Sequence, residues 1–390
     1  MNKNLWLMVA AQGLFLTNNI AFIAINGLVG LGIAPHAWMA TLPVMGYVVG
    51  GALSAPLVAR TQSRLGRKAS FQIGLVIAFF SSLLCAYAAI QQQFWLLVAA
   101  TILAGYYNAN GQLYRFAAAE LASPAFREQA VSLVLAGGLA GAVLGPNLAA
   151  YTRHWFDVPF AGAYIALAGA ALIGMLAMKA VEFPPVAAKT AGQDQGRHLS
   201  AIMRQPAFIV AAMGSALGFG VMNMLMAATP IAMQGYGLPF EDAALVLEWH
   251  VIGMFAPGFV TGYLIKRFGV LQIMGAGVLL NLICIAVALS GVELHHFLLA
   301  LFLLGIGWNF LFTGGTTLSL ETFTAAEKDK TQGALNICVF VTMALTSFAS
   351  GALVTTHGWQ LLNLGSLALV ALTGASLLWL AMQRRAQAIA

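Results

Sequence analysis

Charge is what this chain lacks. Only 8% of its 390 residues are Asp, Glu, Lys or Arg, and 61% are hydrophobic. A soluble domain carries about 25% charged residues, so the aqueous surface of a soluble protein this size could not be built from so few. Cysteine is scarce too. Cys85, Cys284 and Cys338 sit in apolar runs without paired spacing, which implies no disulfide framework. A cleavable leader is not evident, because the first apolar run, Leu5 to Ile33, is too long for a signal-peptide core and shows no clear cleavage site. Long polar stretches are limited to one, Glu182 to Gln205.

What the chain has is apolar runs of about 20 residues or more, each long enough to cross a hydrocarbon core of about 30 Å as a helix. Twelve are expected, at 5–33, 37–60, 69–90, 94–120, 127–150, 157–181, 205–233, 239–264, 270–290, 295–321, 332–355 and 359–382. The expectation is an all-α integral membrane protein, with the first run retained as a helix. Basic residues mark the cytoplasmic side. With the N-terminus inside, 16 of the 18 Lys and Arg fall in inner segments, while Arg153 lies outside and Arg115 within a span. Both termini are therefore expected in the cytoplasm. The net charge of +6 reads as a topology signal and is no evidence for nucleic-acid binding.

The polar stretch divides the spans six and six, giving bundles at 1–182 and 205–390 joined by a cytoplasmic linker at 183–204. The halves repeat. Arg64-Leu65-Gly66 recurs as Arg267-Phe268-Gly269, an offset of 203. Asn108, Glu120 and Arg127 are spaced as Asn309, Glu321 and Lys328 are. Internal duplication of this kind marks transporters whose site lies between the halves, near the bilayer midplane.

At these residues the chain resembles the major facilitator superfamily. The loop Arg60-Thr61-Gln62-Ser63-Arg64-Leu65-Gly66-Arg67-Lys68 is similar to that family's inner-loop motif, G-x-x-x-D-R-x-G-R-R/K, with Ser63 at the usual Asp and Ala59 at the usual Gly. The resemblance implies two pseudo-symmetric six-helix bundles working by alternating access. It also implies a cytoplasmic gate, for which Arg64, Gly66, Arg67, Glu120, Arg267 and Glu321 are the candidates; plain anchoring of the loop by its basic residues is the simpler alternative. Gly137-Gly138-x-x-Gly141-x-x-x-Gly145-Pro146 resembles the superfamily's antiporter motif, with Ala149 and Ala150 replacing its last glycines. Close helix packing explains those small residues without any direction of transport.

Polar groups inside the apolar runs are costly and mark pathways or pairs. Asn18, Asn19, Asn108 and Arg115 are such groups, as cavity-facing residues or as a structural hydrogen-bonded cluster. Spans seven and eight carry Met222-x-x-x-Met226 and His250-x-x-x-Met254. The midpoint of 222 and 250 is the turn at Tyr236, so Met222 and His250 should lie at similar depth in two antiparallel helices. Three thioethers and an imidazole suit Cu(I); methionine is equally an ordinary core filler. The paired motifs resemble the CcoA-like copper transporters, a bacterial branch of the superfamily, with relatives that carry riboflavin. That resemblance implies import of a copper ion across the inner membrane through Met222, Met226, His250 and Met254. A copper acceptor for haem–copper oxidase assembly would then be a partner, and the chain is expected to act as a monomer with no enzymatic role and no cofactor. The alternative is an organic solute, riboflavin-like or a drug exchanged for protons, with the methionines as packing. Glu248 is a candidate for proton coupling, for pairing with Arg115 or for holding a helix contact. His36, His154, His295, His296 and His357 fall in outward loops, where they could gather metal or simply be solvated.

Overall fold

The computed structural model describes residues 3–123, 126–183, 196–324 and 327–389, and all regular structure among them is helical. Helix α1 covers Lys3–Ile33 and α2 Leu42–Ile90. At 49 residues, α2 is more than twice what one crossing needs. It joins the spans expected at 37–60 and 69–90, and it breaks at Gly66, whose φ of 84° and ψ of 168° are non-helical. That region is essentially open only to glycine, because a Cβ meets the backbone there. The repeat behaves alike: α10, Gly258–Phe268, ends at Gly269 with φ 93° and ψ 150°, and α11, Val270–Ser290, starts from it. The offset of 203 is thus visible in the backbone as two left-handed hinges. Gly66→Ala and Gly269→Ala should each cost about 1–3 kcal/mol. Thermal unfolding in detergent checks this, and unchanged midpoints in both would remove the strain argument.

Nine helices among the described residues are long and apolar enough to cross a membrane, and a bent pair makes ten. The pair is α9, Phe240–Phe255, with α10, and it bends by 41°. Pro257 stands at the bend; its ring removes a backbone donor, which accounts for the break there. The fourth expected span is also broken, into α3, Phe94–Gly111, and α4, Tyr114–Leu121. Its polar residues keep it below the apolarity of the others. The remaining long helices are α5 (Arg127–Thr152), α6 (Ala161–Lys179), α8 (Pro206–Gly235), α12 (Leu294–Ser319), α13 (Lys328–Thr356) and α14 (Gly358–Ile389), with a short α7 (Leu199–Met203) before α8.

The chain forms two compact units. One holds Met1–Ala187 and Ala227–Glu248, the other Ala188–Met226 and Trp249–Ala390. The hairpin of α8 and α9 therefore belongs to the first unit, while the rest of both helices belongs to the second. In the first unit, α5 lies directly on α1: a Cβ on Gly141 would collide with the Gly13 carbonyl, and one on Gly145 with that of Thr17. Here the antiporter-like glycines act as a packing surface. Gly50 and Gly105 bring α2 and α3 together in the same way.

Residues 184–195 of the expected linker, including Lys189, Gln193 and Asp194, lie outside the described residues. Its following part is anchored within the second unit. The Arg197 guanidinium donates to Glu327 Oε1 at 2.9 Å and Oε2 at 2.8 Å, and to the Thr322 carbonyl at 2.9 Å. Glu327 also accepts backbone N–H groups of Arg197 at 2.7 Å and Thr324 at 3.0 Å. These donors, the Arg197 side chain foremost, hold the Glu327 carboxyl well below the usual carboxylate range, and the hydrogen bond to Glu327 in turn raises Arg197. A depressed carboxyl contributes its full stabilisation above its unfolded pKa, about 4.3 for Glu; the contribution shrinks as pH falls below that value and is gone once pH falls through the folded value. Glu327→Gln should lower the melting temperature at pH 7 and narrow the gap to wild type in strong acid. An equal gap at both ends of a pH 3–7 melting series would contradict the assignment.

Candidate transport site

Helices α9 and α12 approach closely because of two glycines. A Cβ on Gly305 would strike the His250 carbonyl, and one on Gly253 would lie 2.6 Å from the Phe302 carbonyl. That contact seats His250. Its Nδ1–H donates to the Leu301 carbonyl at 2.7 Å, since a carbonyl can only accept. In the neutral ring, Nε2 is then left as a lone-pair acceptor. It is buried and has no partner among the described residues. One turn further on, the Asn309 amide donates to the Met254 carbonyl at 2.7 Å and accepts from Thr261 Oγ1 at 2.6 Å. The α9–α12 contact is thus cross-linked at two levels, with His250 at one of them.

Met222, Met226 and Met254 are all buried. On α8, Asn223 and Met224 face α13: Asn223 Nδ2 donates to Ser347 Oγ at 2.7 Å and to the Met343 carbonyl at 3.0 Å, and Ser350 Oγ donates to the Met224 carbonyl at 2.7 Å. Helical spacing then puts Met222 and Met226 on one face with Phe219, three and seven residues apart.

Phe219 leads to a group the sequence reading did not single out. Its ring meets Trp308 at 5.0 Å and Phe312 at 4.9 Å, both edge-on. Trp308 and Phe312 stack at 5.2 Å with 12° between planes, and Phe255 meets Trp308 at 6.0 Å. These four rings come from α8, α9 with its bent partner, and α12, close to the middle of each span. Phe219, Phe255 and Phe312 are half-buried, and Trp308 is buried. Trp308 Nε1–H has no acceptor among the described residues. In a membrane interior each unpaired polar group is expensive, so Trp308 Nε1–H and His250 Nε2 are each available to a polar ligand. Among 24 phenylalanines nothing in the sequence separates these rings; only their mutual packing does.

The first unit carries its own polar network. Asn19 Nδ2 donates to Tyr47 Oη at 3.1 Å and to Asn108 Oδ1 at 3.4 Å. Ser70 Oγ donates to Asn110 Oδ1 at 2.9 Å, and Tyr106 Oη to Thr61 Oγ1 at 3.1 Å. Asn18 is buried, with Nδ2 unpartnered among the described residues. Arg115 places its guanidinium 4.9 Å from the Phe116 ring centre, and its Nε has no partner among the described residues. Glu248 is held by Asn147 Nδ2 at 3.1 Å, beside Pro146 of α5, and the structure shows no bond to Arg115. Glu248 and His250 reach different neighbours, as two positions about 200° apart on a helix should.

The gate candidates separate. Arg67 donates to Glu120 within the first unit. Glu321 takes its partner from the chain's last helix, accepting from Arg384 at 2.6 Å. The Arg267 guanidinium instead lies 5.2 Å from the Phe268 ring centre, and Arg64 makes no ion pair among the described residues. Ser63, at the motif's usual Asp, bonds the Arg60 carbonyl at 2.9 Å and provides no carboxylate to the loop.

Comparison with known proteins agrees with this architecture. The chain is 35% identical over 363 residues to a riboflavin transporter of Brucella anthropi, covering 93% of this chain and 91% of that one. It is 28% identical to the uncharacterised transporter YddS of Bacillus subtilis, covering 87% and 82%. The crystal structure of the nucleoside transporter NupG superposes with a TM-score of 0.78 at 12% identity, covering 97% and 99%. The sequence pattern of the Major Facilitator Superfamily matches residues 5–257 and 244–389. With that match over nearly the whole length, on a chain of apolar helices duplicated about two glycine hinges, this multi-pass membrane protein belongs to the major facilitator superfamily of transporters.

Proposed function

We propose that the protein carries a planar heteroaromatic solute of the riboflavin class across the bacterial inner membrane by alternating access, with both termini in the cytoplasm. The observation that carries this reading is the 35% identity to a riboflavin transporter along nearly the full length of both chains. The chemistry of the second unit supports it. A flat ring system bearing N–H and C=O groups needs aromatic faces to stack on, a donor and an acceptor. Phe219, Phe255, Trp308 and Phe312 supply the faces, Trp308 Nε1–H the donor and His250 Nε2 the acceptor. In the first unit, Asn18, Asn19, Asn108 and Arg115 remain the candidate cavity-facing residues. Glu248 is the candidate proton-coupling group, and Arg67 with Glu120 the candidate gate.

Copper remains a second reading because of one observation: His250 donates through Nδ1 to a backbone carbonyl and leaves Nε2 free, the arrangement that metal-ligating histidines adopt. Met222, Met226 and Met254 would complete the site, and a copper acceptor would take the ion inside. Uptake of labelled riboflavin into a riboflavin auxotroph, with cellular copper measured in the same cells, decides between the two. Expression should restore growth on low riboflavin and leave copper content unchanged. Copper gain without flavin uptake would reverse the assignment. Under the flavin reading Met222→Leu keeps volume and apolarity, so uptake should stay within about twofold, consistent with a packing cost below about 1.5 kcal/mol.

A further inference from the structure

We propose a second, independent site: a divalent transition-metal site at the start of α12, formed by Glu293, His295 and His296. Each offers one ligand atom, and the three atoms lie within 4.8 Å of one another. Glu293 Oε2 and His295 Nδ1 are 3.3 Å apart. The two imidazoles pack at 4.0 Å between ring centres with 35° between planes. Bonds of about 2.1 Å in a tetrahedral shell set donors roughly 3.4 Å apart, close to the spacing already present, and water would fill the remaining positions.

Two further features point to a ligand. His296 Nδ1 is shielded from solvent and has no hydrogen-bond partner among the described residues, although the ring is otherwise partly exposed. Gly291 makes room for that ring: any Cβ there would overlap its atoms. Gly291 has φ 179° and ψ 176°, extended backbone open to any residue, so its small size serves the ring and not the backbone. The end of a helix where N–H groups point outward disfavours a cation. Glu293, immediately before α12, offsets this with its carboxylate. Two imidazoles and one carboxylate form a borderline-soft set suited to Zn2+ or Cu2+, unlike the all-oxygen sets of Mg2+ and Ca2+. The site sits at the opposite end of α12 from Glu321, away from the four aromatic rings. It does not depend on what the transporter carries.

The test is Zn2+ titration of the purified full-length protein in detergent by calorimetry, in the absence of any transport substrate. Wild type should bind one Zn2+ with micromolar affinity. His295→Ala and His296→Ala should each weaken binding at least tenfold, and Glu293→Gln several-fold. Gly291→Val leaves all three ligands in place and should weaken binding by displacing the His296 ring. His36→Ala and His250→Leu should not change it. Loss of the signal in His250→Leu, or its survival in the His295→Ala/His296→Ala double variant, would overturn the proposal. So would wild-type binding no tighter than millimolar. Thermal melting of each variant separates lost binding from lost fold.

Discussion

Under the proposed flavin reading, Trp308→Ala is expected to reduce flavin uptake at least tenfold at matched expression. Stacking of a flat base on one aromatic side chain contributes about 1–3 kcal/mol, which is about 5- to 150-fold in affinity. Trp308 holds the centre of the four-ring group, in contact with Phe219, Phe312 and Phe255, so its loss disturbs three further faces. Truncating a buried tryptophan also costs about 3–5 kcal/mol in packing, and reduced uptake could then report a weakened fold. Trp308→Phe separates the two effects. It keeps a ring in place and removes the unpaired Nε1–H. If that N–H meets a carbonyl of the solute, the phenylalanine variant should melt near wild type and show a raised KM with little change in maximal rate. Wild-type KM in Trp308→Phe, together with near-normal uptake in Trp308→Ala, would exclude the aromatic group from the transport site.

Arg67→Ala and Glu120→Ala should each slow transport by tenfold or more while leaving melting temperature and substrate affinity nearly unchanged. Both side chains are partly exposed, 24% and 47%, and such pairs contribute only about 0–1 kcal/mol to stability. A gate needs little stability; it needs a contact present in one state and absent in another. The exchange variant Arg67→Glu/Glu120→Arg should recover part of the rate, because it restores opposite charges across the same contact. Loss of equilibrium flavin binding in the single variants would place the pair in the site instead. Failure of the exchange together with intact single-variant rates would leave it as surface charge. The second half should behave differently: Glu321→Ala and Arg384→Ala should match one another, and Arg267→Ala should match neither.

That asymmetry shows where the sequence was readable and where it was not. The duplication was plain in Arg64-Leu65-Gly66 and Arg267-Phe268-Gly269 because glycine at a left-handed hinge has few substitutes, so the hinge leaves a residue-level mark. Arg384 left no mark, since it lies beyond the last span and pairs with Glu321 across 63 residues. His250 stood out as an imidazole in an apolar run. Its bond runs to the Leu301 main chain, and every residue carries a carbonyl. The break between α3 and α4 follows Asn110-Gly111, a turn-forming pair that stands inside a longer apolar run and so does not by itself end a span. The four aromatic rings are unremarkable as residues in a lipid-facing composition, and only their arrangement distinguishes them. The methionine pattern was legible as spacing, but spacing does not tell a ligand from a packing residue. The identity to a riboflavin transporter now favours packing.

Gly13, Gly141 and Gly145 carry a consequence for any complete substitution map of this gene. The carbonyl of Gly13 occupies the place a methyl group on Gly141 would need, and that of Thr17 blocks Gly145. Backbone cannot rotate aside as a side chain can, so even alanine should be rejected there in every growth condition. Residues that meet the cargo should be intolerant only when the cargo limits growth. Ranked by intolerance alone, the α1–α5 seam would outscore Trp308 and His250. Cargo recognition would emerge only in the difference between maps recorded with and without the proposed cargo, riboflavin, limiting growth.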